Sequence, residues 1–276
     1  MSENAPIIEL HGLSKVFGRG DQRVVAFEDM TLDVRRGEFV CLLGPSGCGK
    51  TTLLKCLAGI EKPTGGTLQM NYMPDTGRSD VAMVFQQHGL LPWFTIEGNL
   101  RFALRSSPID PKLHDTIIER FVGRVGLERF RKFYPHQLSG GMNQRISLIR
   151  AFAVYPQLML MDEPFVFLDY QNRIRLQELC LQLWADQKQT IVFVTHNINE
   201  AITLGDRVLV LTSSPGKIKT EFTVPFERPR DPYQMRKDPR YNELVVEISE
   251  VVREEVEKAT HLEENQCLLA SVKKGS

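Results

Sequence analysis

The stretch "GPSGCGKT", Gly44 to Thr51, combines three glycines with a lysine and a threonine at fixed spacing. The apolar run "FVCLL" precedes it, and "TLLKCLAGI" follows it with a helical pattern. This spacing between a strand and a helix is typical of a phosphate-binding loop. Glycines let the backbone wrap around phosphates, and the N-terminus of the helix directs free N–H groups at them. The stretch therefore predicts a site for a ligand that carries phosphates.

Two side chains of this loop have separate predicted roles. Lys50 places a cation near the outer phosphates, and Thr51 offers a hydroxyl to Mg²⁺. Cys48 is expected to contribute only its backbone, because its side chain can point away from the phosphates. A glycine-rich turn without a ligand does not account for the flanking elements and the spaced residues together. The predicted nucleotide-binding residues of the loop are Gly44, Pro45, Ser46, Gly47, Cys48, Gly49, Lys50, Thr51 and Thr52.

A second segment, "LMLMDEP", supplies a pair of acids after an apolar strand. Asp162 stands at the carboxyl end of that strand, where open α/β sheets bind their ligands. Its carboxylate suits Mg²⁺, which prefers octahedral oxygen ligands. Glu163 is next along and faces differently, as a base that orients or deprotonates an attacking water would. Two adjacent acids in isolation are more often a solvated turn, but the phosphate loop upstream favours the functional interpretation.

The composition sets limits on the class of protein. The chain has 276 residues, of which 42% are hydrophobic, and its 34 basic residues balance 34 acidic ones. This neutrality argues against a general nucleic-acid binder. The five cysteines form no CxxC pair, which indicates free thiols in a reducing compartment. We find no signal-peptide pattern and no apolar run near the ~20 residues needed to span a bilayer.

Strand-like and helical segments alternate along most of the chain, which predicts an α/β fold with a largely parallel sheet. Residues 7–43 read as strands and turns, and residues from Gly89 to about Tyr155 are mostly helical. After the proline- and arginine-rich "VPFERPRDP", a C-terminal helix is expected to bury one apolar face, followed from about Thr260 by a loosely ordered tail. That predicted face comprises Tyr241, Leu244, Val245, Ile248, Val251 and Val252.

The segment "LSGGMNQR", Leu138 to Arg145, carries a specific resemblance. It resembles the signature motif of ABC-transporter ATPases, and the order of motifs is similar to that family across about residues 7–225. The resemblance implies an ABC-type P-loop NTPase, with a RecA-like core, an antiparallel β region and a helical subdomain. It implies an ATPase domain over 1–225, with the helical subdomain at about 88–156, and a C-terminal helical extension and tail over 226–276.

The resemblance also assigns roles to residues outside the phosphate loop. Phe17 would stack on adenine, and Gln86 would be the Q-loop residue that senses Mg²⁺ and the γ-phosphate. Asp169 would be the D-loop residue, and His196 the switch histidine that contacts the γ-phosphate. The implied catalytic residues are Glu163, His196 and Gln86, and the implied metal ligands are Thr51, Gln86 and Asp162.

The signature itself predicts half of a site. Ser139, Gly140 and Gly141 begin an apolar helix, so their N–H groups form a second anion-binding helix end. The phosphate loop already has its own helix end, so the second one makes sense if it serves ATP held by another copy. The family pairs two domains head to tail in this way. The alternative is an ordinary glycine-rich N-cap.

A subfamily resemblance extends these expectations to transport. "EKPTGGTL", "LLPWFT", the methionine after "LSGG", and "DEPF" together resemble the ATPases of nitrate/sulfonate/taurine-type importers. The resemblance implies import of a small anion or organic acid, with ATP and Mg²⁺ as cofactors. It implies a second ATPase subunit as a homodimer, transmembrane permease subunits and, indirectly, an extracytoplasmic solute-binding protein. The chain would then be a peripheral protein at the cytoplasmic face of the inner membrane.

Two departures from the subfamily pattern keep an alternative open. The D-loop run "FVFLDY" is bulky at Val166, Phe167 and Tyr170, where small residues are usual. Asn197 follows His196 where an aspartate is common. An ATP-binding scaffold, or a weakly hydrolysing half of a hetero-paired transporter, is the alternative. The apolar residues of "LLPWFT" fit a docking patch and a helical core equally well: Leu90, Leu91, Trp93 and Phe94.

Overall fold

The computed structural model describes residues 5–18, 20, 23–74, 77–87 and 89–274, with side chains as far as residue 261. Its central sheet contains β3 (Phe39–Leu43), β5 (Val81–Val84), β6 (Leu158–Asp162), β7 (Thr190–Val194), β8 (Arg207–Leu211) and β9 (Ile218–Thr223). The strand order is β5-β6-β7-β3-β8-β9, and only the pairing of β9 is antiparallel. Strands β3, β6 and β7 are buried throughout, so their sequences read as continuous apolar runs.

A smaller antiparallel sheet packs its apolar face toward the core. It contains β1 (Ile8–Phe17), β2 (Val24–Val34) and β4 (Gly65–Met70), in the order β2-β1-β4. Ile8 and Leu10 on β1 are fully buried, whereas Glu9 between them is partly exposed. This alternation is that of a sheet with one face on the core. The predicted α/β fold with a parallel sheet and an antiparallel β region is confirmed.

Three helices cover the central sheet: α1 (Lys50–Leu57), α5 (Tyr170–Gln187) and α6 (Ile198–Leu204). Helix α5 spans the predicted segment "YQNRIRLQELCLQLWADQ". It ends where Lys188 adopts a left-handed conformation with φ of 53°. That conformation stops a helix, because it directs the chain out of the right-handed path.

Three further helices lie between β5 and β6 in the chain: α2 (Ile96–Arg105), α3 (His114–Arg124) and α4 (Gly140–Ala153). Short 3₁₀ helices connect them at Pro111–Leu113, Glu128–Phe130 and Pro135–Gln137. Their apolar faces join the core that underlies β6 and β7. The subdomain boundaries predicted from the sequence, 1–225, 88–156 and 226–276, stay predictions.

The C-terminal extension contains α7 (Pro232–Met235) and α8 (Pro239–Lys274). Tyr241, Leu244 and Ile248 of the predicted apolar face are buried, and the three valines of that face are partly buried. The tail expected from about Thr260 is instead a continuation of α8 to Lys274. The reason is local, because no proline or glycine interrupts the sequence between Pro239 and that end. Among the described residues, no helix has the length and apolar character to cross a bilayer.

The "LLPWFT" segment is tied to α2 by one buried amide. The Asn99 side chain accepts a hydrogen bond from the Leu91 N–H at 2.8 Å. Its amide nitrogen donates to the carbonyls of Leu91, Phe94 and Thr95 at 3.0–3.2 Å. Asn99 is fully buried, so these contacts replace water for the backbone of the loop.

The four apolar residues of this segment differ in how far they are buried. Leu90 packs against the core, and Leu91 and Phe94 are partly buried. Trp93 is 66% exposed, so it is the member of the four that the core does not explain. The exposed Phe102 ring on α2 lies 5.8 Å from that of Phe94, centroid to centroid.

We expect Asn99→Leu to lower the free energy of unfolding by about 2 kcal/mol, because it leaves buried backbone groups without partners. Urea denaturation of the purified protein measures this change. Arg105→Leu introduces the same residue at an exposed position of α2 and should change stability by less than about 0.5 kcal/mol. Equal stability of the two variants would contradict the prediction.

Candidate nucleotide site

Parallel register brings the predicted site segments to one edge of the central sheet. Leu42 on β3 pairs with Val194 on β7, and Val194 pairs with Asp162 on β6. On the other side of β6, Met161 pairs with Val84 of β5. Because the carboxyl ends of these strands are aligned, the predicted phosphate loop and the acid pair follow at that edge, together with His196 and Gln86.

The backbone of the phosphate loop requires two of its glycines. Gly47 and Gly49 have φ of 78° and 89°, in the left-handed region that favours glycine. A Cβ on Gly49 would stand 2.5 Å from the carbonyl oxygen of Ala26, on β2. The loop is therefore pressed against the antiparallel sheet, and Gly49 forms the N-cap of α1. The sequence pattern does not indicate that the Ala26 carbonyl lies against this loop.

Lys50 and Cys48 lie within the fold of the loop. The Lys50 ammonium donates to the carbonyls of Gly44 and Pro45, both at 2.8 Å. It also lies 3.6 Å from the Cys48 sulfur. The Cys48 thiol is buried against Gly44, and burial raises its pKa although Lys50 opposes the shift. Cys48 thus packs beneath the loop, which leaves its backbone as the part available to phosphates.

The threonine of the loop meets the first acid of the pair. The Thr51 hydroxyl donates to the Asp162 carboxylate over 3.0 Å. Asp162 is 6% exposed, and burial raises the pKa of its carboxyl while the Thr51 hydrogen bond lowers it. Two oxygen donors at this distance match the hard oxygen ligation that Mg²⁺ prefers.

The second acid of the pair faces His196, the predicted switch histidine. Oε2 of Glu163 lies 3.2 Å from Nδ1 of His196. Glu163 has φ of 45°, a left-handed conformation that is uncommon outside glycine, and its N–H donates to the Val194 carbonyl. Strained backbone of this kind is concentrated at functional sites. The structure thus brings two separately predicted catalytic residues, Glu163 and His196, within hydrogen-bond distance of each other.

A buried acid behind this pair was missed by the sequence analysis. Glu200 is 4% exposed, accepts a hydrogen bond from the Thr195 hydroxyl at 2.6 Å and lies 3.5 Å from the Arg173 guanidinium. Burial raises the pKa of its carboxyl, against the Thr195 hydrogen bond. Asn197 caps α6 by accepting from the Glu200 N–H. Asparagine and aspartate cap helices equally well, so Asn197 preserves the start of α6. Compared with an aspartate at this position, it removes one negative charge.

Phe17 and Gln86 are at the surface. Phe17 ends β1 and is 40% exposed, with the Lys15 ammonium 4.6 Å from its ring centroid. Lys15 is held by a 2.9 Å ion pair with Glu61. Gln86 is exposed two residues after the end of β5. The exposed ring of Phe17 leaves a face for stacking, and its predicted role with adenine stays a prediction.

The signature residues begin α4 in an open position. The Ser139 hydroxyl caps the helix by accepting from the Met142 N–H at 3.3 Å. A Cβ on Gly140 would meet nothing within 4 Å, and one on Gly141 would only touch Asn172 at 3.8 Å. Both glycines have room for a side chain within this chain, so intrachain packing does not explain them.

Asp169, the predicted D-loop residue, binds the same asparagine, Asn172. The Asp169 carboxylate accepts from the Asn172 N–H at 3.0 Å and from its side-chain amide at 2.6 Å. Both hydrogen bonds lower the pKa of Asp169, and the one from the Asn172 backbone N–H has the larger effect. Beside it, Phe167 is 70% exposed. Tyr170 is also exposed, and the Arg236 guanidinium of the C-terminal extension contacts its ring and hydroxyl.

Comparisons with known proteins identify the family. A model of the ABC transporter family matches residues 27–166. The chain belongs to the ABC transporter family. It is 41% identical to an uncharacterised ABC transporter ATP-binding protein of Methanocaldococcus jannaschii, over 91% of this chain and 93% of the relative. It is 37% identical to a nitrate import ATP-binding protein of Synechocystis sp., over 89% of this chain and 95% of the relative.

Further similarity covers another importer and a solved cassette. A taurine import ATP-binding protein of Jannaschia sp. is 37% identical, over 82% of this chain and 85% of the relative. A dimeric ATP-binding cassette in a post-hydrolysis state, bound to ADP and Pi, is 29% identical with a TM-score of 0.69. That match covers 80% of this chain and 100% of the cassette. The ABC-type chain binds ATP and is an ATPase.

We expect Gly49→Ala to abolish measurable ATP binding, because the added Cβ would collide with the Ala26 carbonyl and force the loop to shift. Equilibrium binding of a fluorescent ATP analogue measures the effect. Gly59→Ala is the matched control, since Gly59 also has positive φ, 71°, but has open space around it. If both variants bind ATP like wild type, the loop does not depend on this close approach.

Proposed function

We propose that the chain is the ATP-hydrolysing subunit of an importer and works as a head-to-tail pair with a second copy. The observation that carries this proposal is the open position of Gly140 and Gly141 at the start of α4. Glycines that no intrachain contact requires fit a surface where another molecule approaches the backbone. The start of a long helix favours an anion there, and the ATP held by the partner copy supplies one.

Within each site, we assign the binding of phosphates to the loop residues Gly44–Thr52 and the recognition of adenine to Phe17. A γ-phosphate that takes the Lys50 ammonium replaces the carbonyls that this cation now contacts. Thr51, Gln86 and Asp162 would hold Mg²⁺, which would neutralise charge on the phosphate oxygens when bound. The hydrogen bond between Thr51 and Asp162 shows that two of these three groups converge.

The chemistry of hydrolysis falls to Glu163 and His196. The Glu163 carboxylate orients the attacking water and accepts its proton. His196 lies at hydrogen-bond distance from this carboxylate, so it fixes the carboxylate orientation and contacts the γ-phosphate. Gln86, at the same edge of the sheet, links the state of the site to the helical region. Asp169 belongs to the seam between the copies, together with Ser139.

We place the permease contact on the helical region and the chain at the cytoplasmic face of the inner membrane. Trp93 and Phe102 are both exposed, and the ring of each lies within 6.4 Å of the Phe94 ring, centroid to centroid. Exposed aromatic side chains of this kind suit a docking site for another protein. The names of the nitrate and taurine import relatives favour a small anion or organic acid as the solute. An extracytoplasmic solute-binding protein would act indirectly, through the permease.

A second candidate function has one observation in its favour. Phe167 is 70% exposed in the D-loop, where a bulky ring would alter the closure of two identical copies. This feature fits an ATP-binding scaffold or a hetero-paired transporter half. The 3.2 Å contact between Glu163 and His196 favours hydrolysis instead, because both residues are paired as the chemistry requires.

We expect Glu163→Gln to reduce steady-state ATP hydrolysis by about 100-fold or more, because the base is lost. The variant should still bind ATP and elute as a dimer in ATP on size-exclusion chromatography. Glu250→Gln, at an exposed position of α8, is the control and should behave as wild type. If wild type itself binds ATP but shows no turnover with its permease, the scaffold or hetero-pair function replaces the importer ATPase.

A cross-link tests the head-to-tail arrangement. In the Glu163→Gln background, Ser46→Cys combined with Ser139→Cys should give a disulfide-linked dimer in ATP, because the two loops meet across the seam. A disulfide forms only when the two Cα atoms come within about 7 Å. Each single cysteine variant is a control. The natural cysteines with described side chains are buried: Cys41, Cys48, Cys56 and Cys180.

Non-reducing gel electrophoresis gives the result of this experiment. A covalent dimer that depends on ATP and on both introduced cysteines supports the arrangement. A covalent dimer from either single variant, or a link that forms equally without ATP, contradicts it.

A further inference from the structure

The turn between β8 and β9, residues 212–217, lies directly against the phosphate loop. A Cβ on Gly216 would stand only 2.0 Å from the carbonyl oxygen of Cys48. At the end of β8, the Leu211 side chain lies 3.2 Å from the position of a Cβ on Gly44. The turn therefore contacts the middle of the loop through Gly216, and the end of β8 contacts the start of the loop through Leu211.

This turn is closed by its own hydrogen bonds. The Thr212 N–H donates to the Lys217 carbonyl, and the Lys217 N–H donates to the Thr212 hydroxyl, both at 2.9 Å. The Thr212 hydroxyl in turn donates to the Pro215 carbonyl at 2.9 Å. The Gly216 N–H donates to the carbonyl of Ala26, the same oxygen that approaches Gly49. A displacement of the turn is thus transmitted to the loop.

Helix α8 holds the turn through a buried carboxylate. Glu255 is 1% exposed, and its Oε2 accepts a hydrogen bond from the Ser213 N–H at 2.9 Å. Its Oε1 lies 2.9 Å from the Lys219 ammonium and 2.7 Å from the Lys258 ammonium. Burial alone would raise the pKa of this carboxyl. Hydrogen bonds from Lys258, the Ser213 amide and Lys219 outweigh burial and lower the pKa to about 2.

We propose that Glu255 is a positioning residue for ATP binding, through which α8 holds the turn and hence the phosphate loop in its nucleotide-binding shape. The inference rests on the assignment of that loop as the ATP site. Loss of the carboxylate leaves the buried Ser213 N–H and the Lys258 ammonium without this partner, so the turn relaxes. Lys219 keeps its ion pair with Glu254. Glu163 and His196 are held by other elements, so the rate of the chemical step is unaffected.

The test compares three variants in a steady-state ATPase assay. Glu255→Ala should raise KM for ATP about tenfold, as expected for a lost hydrogen bond to a charged group, with kcat within about twofold of wild type. Glu255→Gln should raise KM less, because its amide oxygen still accepts from the Ser213 N–H. Glu254→Ala is the matched control, since Glu254 also pairs with Lys219, at 2.5 Å, but is 59% exposed. Its KM should match wild type.

Three outcomes overturn the inference. If Glu255→Ala lowers only the thermal midpoint and leaves KM unchanged, Glu255 stabilises the fold without positioning the loop. If Glu254→Ala raises KM equally, the effect arises from the surface charge of Lys219. If Glu255→Ala does not fold, the KM of Glu255→Gln is the test instead. A KM for Glu255→Gln equal to that of wild type then overturns the inference.

A parallel Lys50→Ala variant separates this inference from the function on which it rests. If Lys50→Ala binds ATP as tightly as wild type, the loop is not the ATP site and the proposed function fails. If Lys50→Ala loses ATP binding while both Glu255 variants keep the wild-type KM, only the positioning role of Glu255 is wrong.

Discussion

The approach of Gly49 to the carbonyl of Ala26 is the constraint on which the arrangement of the site depends. It fixes the phosphate loop, which follows the central sheet, against a strand of the antiparallel sheet. The same carbonyl accepts a hydrogen bond from Gly216, so three separate parts of the chain meet at one oxygen. Only residues without a Cβ allow backbones to come this close. This contact fixes the positions of both sheets relative to the N-terminus of α1.

Local patterns were sufficient to predict the strands and helices that carry the candidate site residues. The phosphate loop, the acid pair and helix α5 each depend on spacing within a short segment, and spacing is directly visible in a sequence. Parallel strands then bring their carboxyl ends to one edge, so the convergence of Asp162 with Thr51 follows from the strand order. Here local preference and global fold agree, which is the usual condition of a well-specified structure.

Contacts between distant segments could not be predicted in the same way. Nothing in the local pattern around Gly216 or Glu255 indicates that each lies against a part of the chain far away in sequence. The apolar residues of "LLPWFT" illustrate a different limit, because hydrophobicity alone does not separate Leu90, which packs against the core, from the exposed Trp93. The loosely ordered tail predicted from about Thr260 was wrong, because helix-forming residues continue without proline or glycine to Lys274.

The contacts of Lys50 have a consequence for nucleotide exchange. Its ammonium is already satisfied by two carbonyl oxygens of its own loop. A phosphate and these carbonyls therefore compete for the same cation. The contribution of Lys50 to nucleotide affinity is the difference in free energy between its contact with the phosphate and its contact with the loop carbonyls. A departing product leaves no buried charge without a partner, since the lysine returns to its own backbone. The loop can release its ligand without losing its shape, as repeated cycles of turnover require.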